Sequence, residues 1–234
     1  MLIATSLTFA LLASSTPTAG AAPATHAAPP LVVNVSTSID VSPTLIKLAL
    51  AEADSIWRTA GLIIVWRKAP RDGVPHPGVS ESHPYMPSTL RVIIGDEASA
   101  SHDGRLPLGW IVFDDAHTPA PVIYVSRANA MRLMEESRLI VGLVSRMPIA
   151  ERETYLGRAM GRAIAHEMGH YLLASKVHTA GGLMQASRTA AEFFSRDSTR
   201  FDIDPAQRQV VADRLRGDLR VARVDSQWLE VDSR

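Results

Sequence analysis

The stretch AIAHEMGHYLL, residues 163–173, determines how the rest of the chain is interpreted. His166 and His170 are four residues apart, so on an α-helix they lie one turn above each other, with Cβ atoms about 5–6 Å apart. Two imidazoles at that spacing can bind one cation, and catalytic zinc takes such nitrogen ligands while keeping one position for water. Glu167 follows the first histidine and has the place of the general base in the pattern H-E-x-x-H. The stretch therefore predicts a zinc-binding helix.

The residues before this stretch predict which side of the helix faces the protein interior. Tyr155, Ala159 and Ala163 continue the stripe of the two histidines at spacings of three and four. That periodicity is typical of an amphipathic helix, which we predict over residues 149–174. The histidines then lie on its inner side.

Two further features follow the second histidine. His178 comes after the seven-residue segment 171–177, and Gly182-Leu183-Met184 follows it. The whole arrangement resembles the metzincin metallopeptidases, in which an extended HExxH motif runs to a third histidine and a later methionine lies in a tight turn beneath the metal. The resemblance implies one zinc per chain held by His166, His170 and His178, with Met184 as the structural methionine.

The segment between His170 and His178 departs from that family. It is longer than the family's spacer, and Leu173 stands where the family has a glycine. A helix that stops and doubles back usually needs a left-handed residue, which costs a residue with a Cβ about 1–2 kcal/mol. We expect residues 174–176 to end the helix instead and to let the chain bring His178 inward.

Two alternatives to this interpretation stay open at the level of the sequence. In a gluzincin-like site a carboxylate from a later helix would replace His178, and Glu192 is the suitably placed glutamate. In the other alternative, the protein is a secreted zinc- or peptide-binding protein without catalytic activity. The intact Glu167 argues against that, because a purely structural metal site has no need of a general base.

Composition and charge exclude several other classes. The chain has 234 residues, enough for one domain with a sizeable core, and its 24 basic residues balance 24 acidic ones. A neutral balance gives no electrostatic signal for nucleic acid as a partner. The absence of cysteine excludes disulfides, thiolate ligands and a cysteine nucleophile. The sequence carries no signal of oligomeric state.

The N-terminus predicts export. Residues 1–13 are apolar, and small residues follow, ending in Ala19-Gly20-Ala21, which fits a signal-peptidase site. We therefore predict a signal peptide over residues 1–21, a secreted or periplasmic protein, and no stable membrane insertion after cleavage. Residues 22–30 are rich in alanine and proline and are predicted to be a linker.

The order of the predicted elements completes the sequence-based hypothesis. Strands are expected at residues 31–39, 62–66, 90–94, 109–113 and 122–125, and helices at 43–60, 128–144, 149–174, 186–194 and 205–216. Pairing of the first two strands is expected to be parallel. This order is similar to that of a metzincin domain, which the resemblance places at residues 31–216, leaving 217–234 as a tail.

The resemblance also implies the fold class and the function. The expected fold is α+β: a twisted, mixed five-stranded sheet with an antiparallel edge strand at 108–114, the HExxH helix and a C-terminal helix. The implied function is a zinc metallopeptidase, an endopeptidase, with Glu167 as general base. Its expected partner is a peptide or protein substrate, which can pair with the edge strand.

Overall fold

The computed structural model describes residues 30–37, 40–69, 90–96, 107–114 and 118–217. The predicted signal peptide, nearly all of the predicted linker and the tail beyond residue 217 lie outside the described residues. Among the residues that are described, none of the helices combines the length and apolar character needed to cross a membrane.

A single mixed sheet forms the framework of the protein. Its strands are β1 (Leu31–Thr37), β2 (Ile64–Lys68), β3 (Leu90–Gly95), β4 (Gly109–Phe113) and β5 (Pro119–Ser126). They lie in the order β2-β1-β3-β5-β4, and all neighbours are parallel except β4, which pairs antiparallel with β5 at the edge. The predicted mixed five-stranded sheet, the parallel pairing of its first two strands and its antiparallel edge strand are confirmed.

Six helices accompany this sheet in the described part of the chain. They are α1 (Pro43–Thr59), α2 (Arg127–Glu136), α3 (Arg138–Val141), α4 (Ile149–Leu173), α5 (Ala190–Phe194) and α6 (residues 205–217). Short 3-10 turns lie at Val144–Arg146 and Thr199–Phe201.

The start and end of α1 follow from local chemistry, as the sequence predicts. The Ser42 side chain accepts a hydrogen bond from the backbone N–H of Thr44 at 3.2 Å, and Pro43 occupies the first helical position. Gly61 follows the helix with φ of 79°, a left-handed conformation that glycine adopts without strain.

The single helix predicted over residues 128–144 is wrong. The chain forms α2 and the one-turn α3 instead, separated at Ser137. The Ser137 hydroxyl donates to the Leu133 carbonyl at 2.6 Å, a local bond that competes with continued helix, and Gly142 then ends α3 with φ of 89°. The helix predicted over residues 186–194 is also too long, because Thr189 caps α5 and the helix begins at Ala190.

Helix α4 is held against α1 by unusually close backbone contact. A Cβ added at Gly161 would lie 2.5 Å from the Ala49 carbonyl oxygen, and one at Gly157 would also collide with α1. The fully buried Arg162 donates to Glu52 of α1 at 2.7 Å. The contact with α1 therefore fixes the rotation of α4 about its axis.

The opposite side of α4 packs against strands β4 and β5. Alternate residues of the central strands are buried, as expected for a sheet with one covered face: Val33, Val35, Leu90, Val92, Ile94, Ile123 and Val125. Because α4 lies between α1 and the edge of the sheet, one of its faces borders the antiparallel strand β4.

Candidate metal centre

Two histidines of α4 lie together at the surface of a cleft. The Nε2 atoms of His166 and His170 are 3.1 Å apart, as the i, i+4 spacing predicts for side chains that converge on one point. Their ring centroids are 4.8 Å apart, with the ring planes nearly perpendicular. Helix geometry places these two side chains next to each other.

Backbone carbonyl groups orient both rings. His166 Nδ1 lies 2.8 Å from the Leu183 oxygen, and His170 Nδ1 lies 2.6 Å from the Ser175 oxygen. A carbonyl oxygen can only accept, so each Nδ1 carries the proton and each neutral ring has its lone pair on Nε2. This outer-shell arrangement is characteristic of metal-binding histidines.

A left-handed residue at the end of α4 brings the third histidine into place. Ala174 has φ of 48° and ψ of 46°, and it is the only residue other than glycine with positive φ in the described ranges. The Ser175 N–H then donates to the His170 carbonyl at 3.2 Å. Within four further residues the His178 ring stacks on His166, with centroids 5.3 Å apart. The left-handed residue is therefore an alanine immediately after Leu173.

The three histidines form the group best suited to a metal ion in the described part of the chain. Their ligand nitrogens all lie within 4.8 Å of one another. Two nitrogens bound to tetrahedral zinc at about 2.0–2.1 Å would be about 3.3–3.4 Å apart, close to the observed 3.1 Å between His166 and His170. Two lone pairs facing each other at such a distance repel unless a cation lies between them. The donor set fits zinc.

The protonation of these histidines also suits metal binding. Burial lowers the pKa of His166 to about 4 from its ordinary 6.5, against an opposing effect of the hydrogen bond to Leu183. Burial likewise lowers the pKa of His170 and of the more exposed His178. All three rings are neutral near pH 7, which is the form that binds metal.

Glu167 lies against the edge strand and borders the same cleft as the histidines, but it is not part of their cluster. It is 8% exposed, and a Cβ added at Gly109 of β4 would lie 3.1 Å from its Cγ. Burial raises the pKa of the Glu167 carboxyl to about 8. A cation in the histidine cluster would lower that pKa, because a nearby opposite charge favours the carboxylate.

Met184 lies in a tight turn that packs against α4 at Gly169. The Gln185 N–H donates to the Gly182 carbonyl at 3.2 Å, and Gly182 has φ of 71°. Met184 is fully buried, and its Sδ lies so close to Gly169 that an added Cβ there would be 2.2 Å away. The turn therefore contacts α4 at the residue that precedes His170.

The alternative ligand Glu192 has a different role in the structure. Its carboxylate accepts from the Thr189 N–H at 2.8 Å and from the Thr189 hydroxyl at 2.9 Å, forming the capping box of α5. It also lies near the guanidinium groups of Arg188 and Arg200. The described ligand group contains the three histidines without Glu192.

The centre opens into a cleft of about 760 Å³. Its walls come from β4, α4, the segment around His178 and the chain after the Met184 turn: Pro107, Leu108, Gly109, Trp110, Ile111, Phe113, Leu133, Arg162, Ala163, His166, Glu167, His170, Lys176, His178, Gln185, Ala186, Ser187, Arg188, Phe193 and Phe201. The predicted edge strand thus borders the same cleft as the histidines.

Several cleft residues were not anticipated from the sequence. Arg162 lies one turn before His166 on the same helix, and that spacing was a signal that could have pointed to it. Lys176 lies over the Phe113 ring at 5.0 Å, and Arg188 lies over Phe201 at 4.0 Å. These two belong to irregular segments, where no periodicity predicts which side chains meet.

Comparisons with known proteins do not assign the chain to a family. No protein-family profile and no curated protein matches the sequence. Among solved structures, the chain is similar to the crystal structure of archaemetzincin from Methanopyrus kandleri, with 12% identity and a TM-score of 0.49, over 80% of this chain and 96% of that one. At such low values, the assignment of a function depends on the chain's own residues.

Proposed function

We propose that the chain is a zinc-dependent peptidase whose catalytic domain spans residues 31–216. The observation that carries the proposal is the convergence of three imidazoles, within 4.8 Å of one another, in a cleft that also contains a buried glutamate. In this proposal His166, His170 and His178 hold one zinc, and Met184 supports them from below. The sequence resemblance to metzincins supports the same assignment.

Glu167 is the proposed general base. Zinc bound in the cluster would polarise the scissile carbonyl and lower the pKa of water. Glu167 follows His166 in α4 and faces the cleft from a buried position, where it can accept a proton from the attacking water. It would then pass the proton to the leaving amine, so that one carboxyl serves as base and then as acid.

The edge strand β4 is the proposed binding surface for the substrate backbone. One edge of β4 pairs with β5, and among the described residues no strand pairs with the other edge. Trp110, Ile111 and Phe113 of this strand border the cleft beside the metal centre. An extended peptide can add to such an edge through backbone hydrogen bonds, which select for a peptide irrespective of its sequence.

We also propose that the protein acts outside the cytoplasm. The support is the apolar N-terminal stretch followed by Ala19-Gly20-Ala21. Expression of the full chain in a bacterial host, followed by N-terminal sequencing of protein from the periplasm, is expected to show cleavage after Ala21. Full-length protein retained in the cytoplasm would contradict export.

The proposed activity is tested by metal analysis together with peptide digestion. Purified mature protein is expected to contain one zinc per chain and to cleave members of a broad peptide library. A chelator should abolish cleavage, and added zinc should restore it. Protein that contains no zinc and takes none up would exclude the proposal, and zinc-loaded protein that cleaves nothing would indicate a non-catalytic binding protein.

A further inference from the structure

The cleft contains more positive than negative side chains. Its basic residues are Arg162, Lys176 and Arg188, and Glu167 is the acidic residue among the described lining. Arg162 is neutralised by Glu52 at 2.7 Å and also donates to backbone carbonyls of the segment 192–197. The hydrogen-bonding capacity of Arg162 is therefore used within the protein.

Arg188 is different because it is buried without a full set of partners. Its side chain is 3% exposed, and its Nε and Nη1 atoms have no hydrogen-bond partner among the described residues. Only Nη2 is satisfied, by the carbonyl groups of Gly182 and Arg200. A buried cation with unpaired donors is unfavourable, and such a group in a cleft calls for an acceptor from a ligand.

The charge of Arg188 is only partly compensated. Glu192 Oε1 lies 3.5 Å from its Nη1, and the same oxygen lies 3.6 Å from Nη1 of Arg200. The second carboxylate oxygen is already engaged by Thr189. One carboxylate shared by two guanidinium groups therefore compensates the charge of Arg188 only in part.

Arg188 is also fixed in position relative to the histidines. Its guanidinium lies over the Phe201 ring at 4.0 Å and is bonded to the Gly182 carbonyl, at the start of the turn that contains Met184. The next residue of that turn, Leu183, accepts from His166 Nδ1 at 2.8 Å. The cation and the metal centre therefore share one rigid support, which is what a specificity-determining group requires.

We propose that Arg188 binds a carboxylate group of the substrate, supplied by an acidic side chain or by the C-terminus of the peptide. The carboxylate would enter the cleft beside Ala186 and Phe193, which border it near Arg188. It would provide the acceptor that Nε and Nη1 lack, through charge-assisted hydrogen bonds. This role in substrate specificity rests on the proposed peptidase function.

The test measures binding to a variant that does not hydrolyse its ligand. Zinc-loaded Glu167→Gln protein is titrated calorimetrically with octapeptides of Ala, Gly and Phe in which each position in turn carries Glu or the isosteric Gln. The unsubstituted peptide is compared as free acid and as C-terminal amide. We expect at least about tenfold tighter binding for the carboxylate member of one pair. A side-chain pair or the C-terminal pair then identifies the source of the carboxylate.

Two variants link that preference to Arg188. Arg188→Met in the same background should reduce the preference to less than about twofold, while binding of the uncharged peptides is retained. Arg200→Met is the matched control, because Arg200 contacts the same Glu192 oxygen but its side chain is 74% exposed and outside the cleft. This control should keep the preference.

Equal binding of carboxylate and amide peptides in every pair, or a preference that survives Arg188→Met, would overturn the proposal. The peptide comparison needs no change at Arg188, so it remains decisive if that variant does not fold. Failure of the peptidase function is seen separately, as absence of hydrolysis by the zinc-loaded parent protein, and leaves the binding preference measurable.

Discussion

At the scale of single residues, Glu167 distinguishes the proposed peptidase from a protein that only binds zinc. The residue is 8% exposed, and burial alone accounts for the rise of its carboxyl pKa to about 8. An isolated buried carboxyl is unfavourable for stability, because it loses hydration without gaining a partner. A carboxyl with a strongly shifted pKa beside a candidate metal centre is typical of a functional site.

The residue-scale prediction compares Glu167 with His170. Replacing Glu167 by Gln should leave zinc affinity nearly unchanged but lower turnover roughly 10²- to 10⁴-fold, the usual contribution of a positioned acid or base. His170→Ala should instead lose the metal, because two remaining ligands leave zinc open to water and chelators. Zinc content after dialysis and turnover of a fluorogenic peptide are the measurements.

The proposal depends on how zinc binding and turnover differ between the two variants. Zinc lost as completely from the Glu167→Gln variant as from His170→Ala would make Glu167 a ligand or a structural group. Turnover equal to that of the parent protein would exclude it as the general base. Either result would require a different mechanism for this site.

At the scale of elements, α4 has two faces with different roles. Gly157 and Gly161 allow α1 to approach its backbone, while His166 and His170 project from it into the cleft. Close packing on the first face sets the direction of the second. The position of the proposed metal centre thus depends on packing between α1 and α4, which involves none of the three histidines.

Replacing Gly161 by Ala tests this dependence. The added Cβ would lie 2.5 Å from the Ala49 carbonyl oxygen, which is backbone and cannot rotate away. We expect the free energy of unfolding to fall by roughly 1–3 kcal/mol, although alanine favours an isolated helix. Gly181→Ala is the control, since nothing lies within 4 Å of its added Cβ. Equal urea midpoints for the two variants would contradict close packing of α1 on α4.

At the end of α4, by contrast, a substitution is expected to increase the free energy of unfolding. Ala174 has φ of 48°, a conformation in which a Cβ costs about 1–2 kcal/mol. Ala174→Gly removes that strain but loosens the unfolded chain, so we expect a net gain of roughly 0.5–1 kcal/mol in urea unfolding. Ala51→Gly, at an exposed position within α1, should lose about 1 kcal/mol. Destabilisation by both changes would show that Ala174 is not left-handed in solution.

At the scale of the whole molecule, the buried groups of the centre predict how stability depends on pH without metal. The pKa of Glu167 is raised from 4.5 to about 8, so the folded state binds a proton that the unfolded state has lost. This contribution is complete below pH 4.5 and disappears as pH rises through about 8. The histidines act oppositely, but only below their ordinary pKa of 6.5.

Between about pH 6.5 and 8 we therefore expect the metal-free protein to become less stable as pH rises, by at most about 1.4 kcal/mol per pH unit. The Glu167→Gln variant should lack this pH dependence. The difference between the unfolding free energies of the two proteins, measured in urea as a function of pH, therefore isolates the contribution of Glu167. Saturating zinc should remove it as well, because the cation lowers the pKa of Glu167. Parallel profiles for metal-free parent and variant would contradict the burial of this carboxyl.

The sequence by itself determined the features that depend on short-range rules. Helical spacing alone puts His166 and His170 on one face of α4, and Ser42 with Pro43 starts α1 because their side chains act on the adjacent turn. Short apolar segments were sufficient to locate the five strands of the sheet to within a few residues. The histidines of the candidate metal centre could be predicted from the sequence because a local motif contains two of the three.

Only the tertiary structure decided where the irregular segments lie. The left-handed Ala174 brings His178 to the centre, Glu192 becomes part of a helix cap, and Ser137 interrupts the helix predicted over residues 128–144. Arg188 enters the cleft because its guanidinium packs on Phe201, a residue that no local pattern connects with it. Such positions are set by contacts between residues distant along the chain, whose free energies exceed the small differences between local conformations.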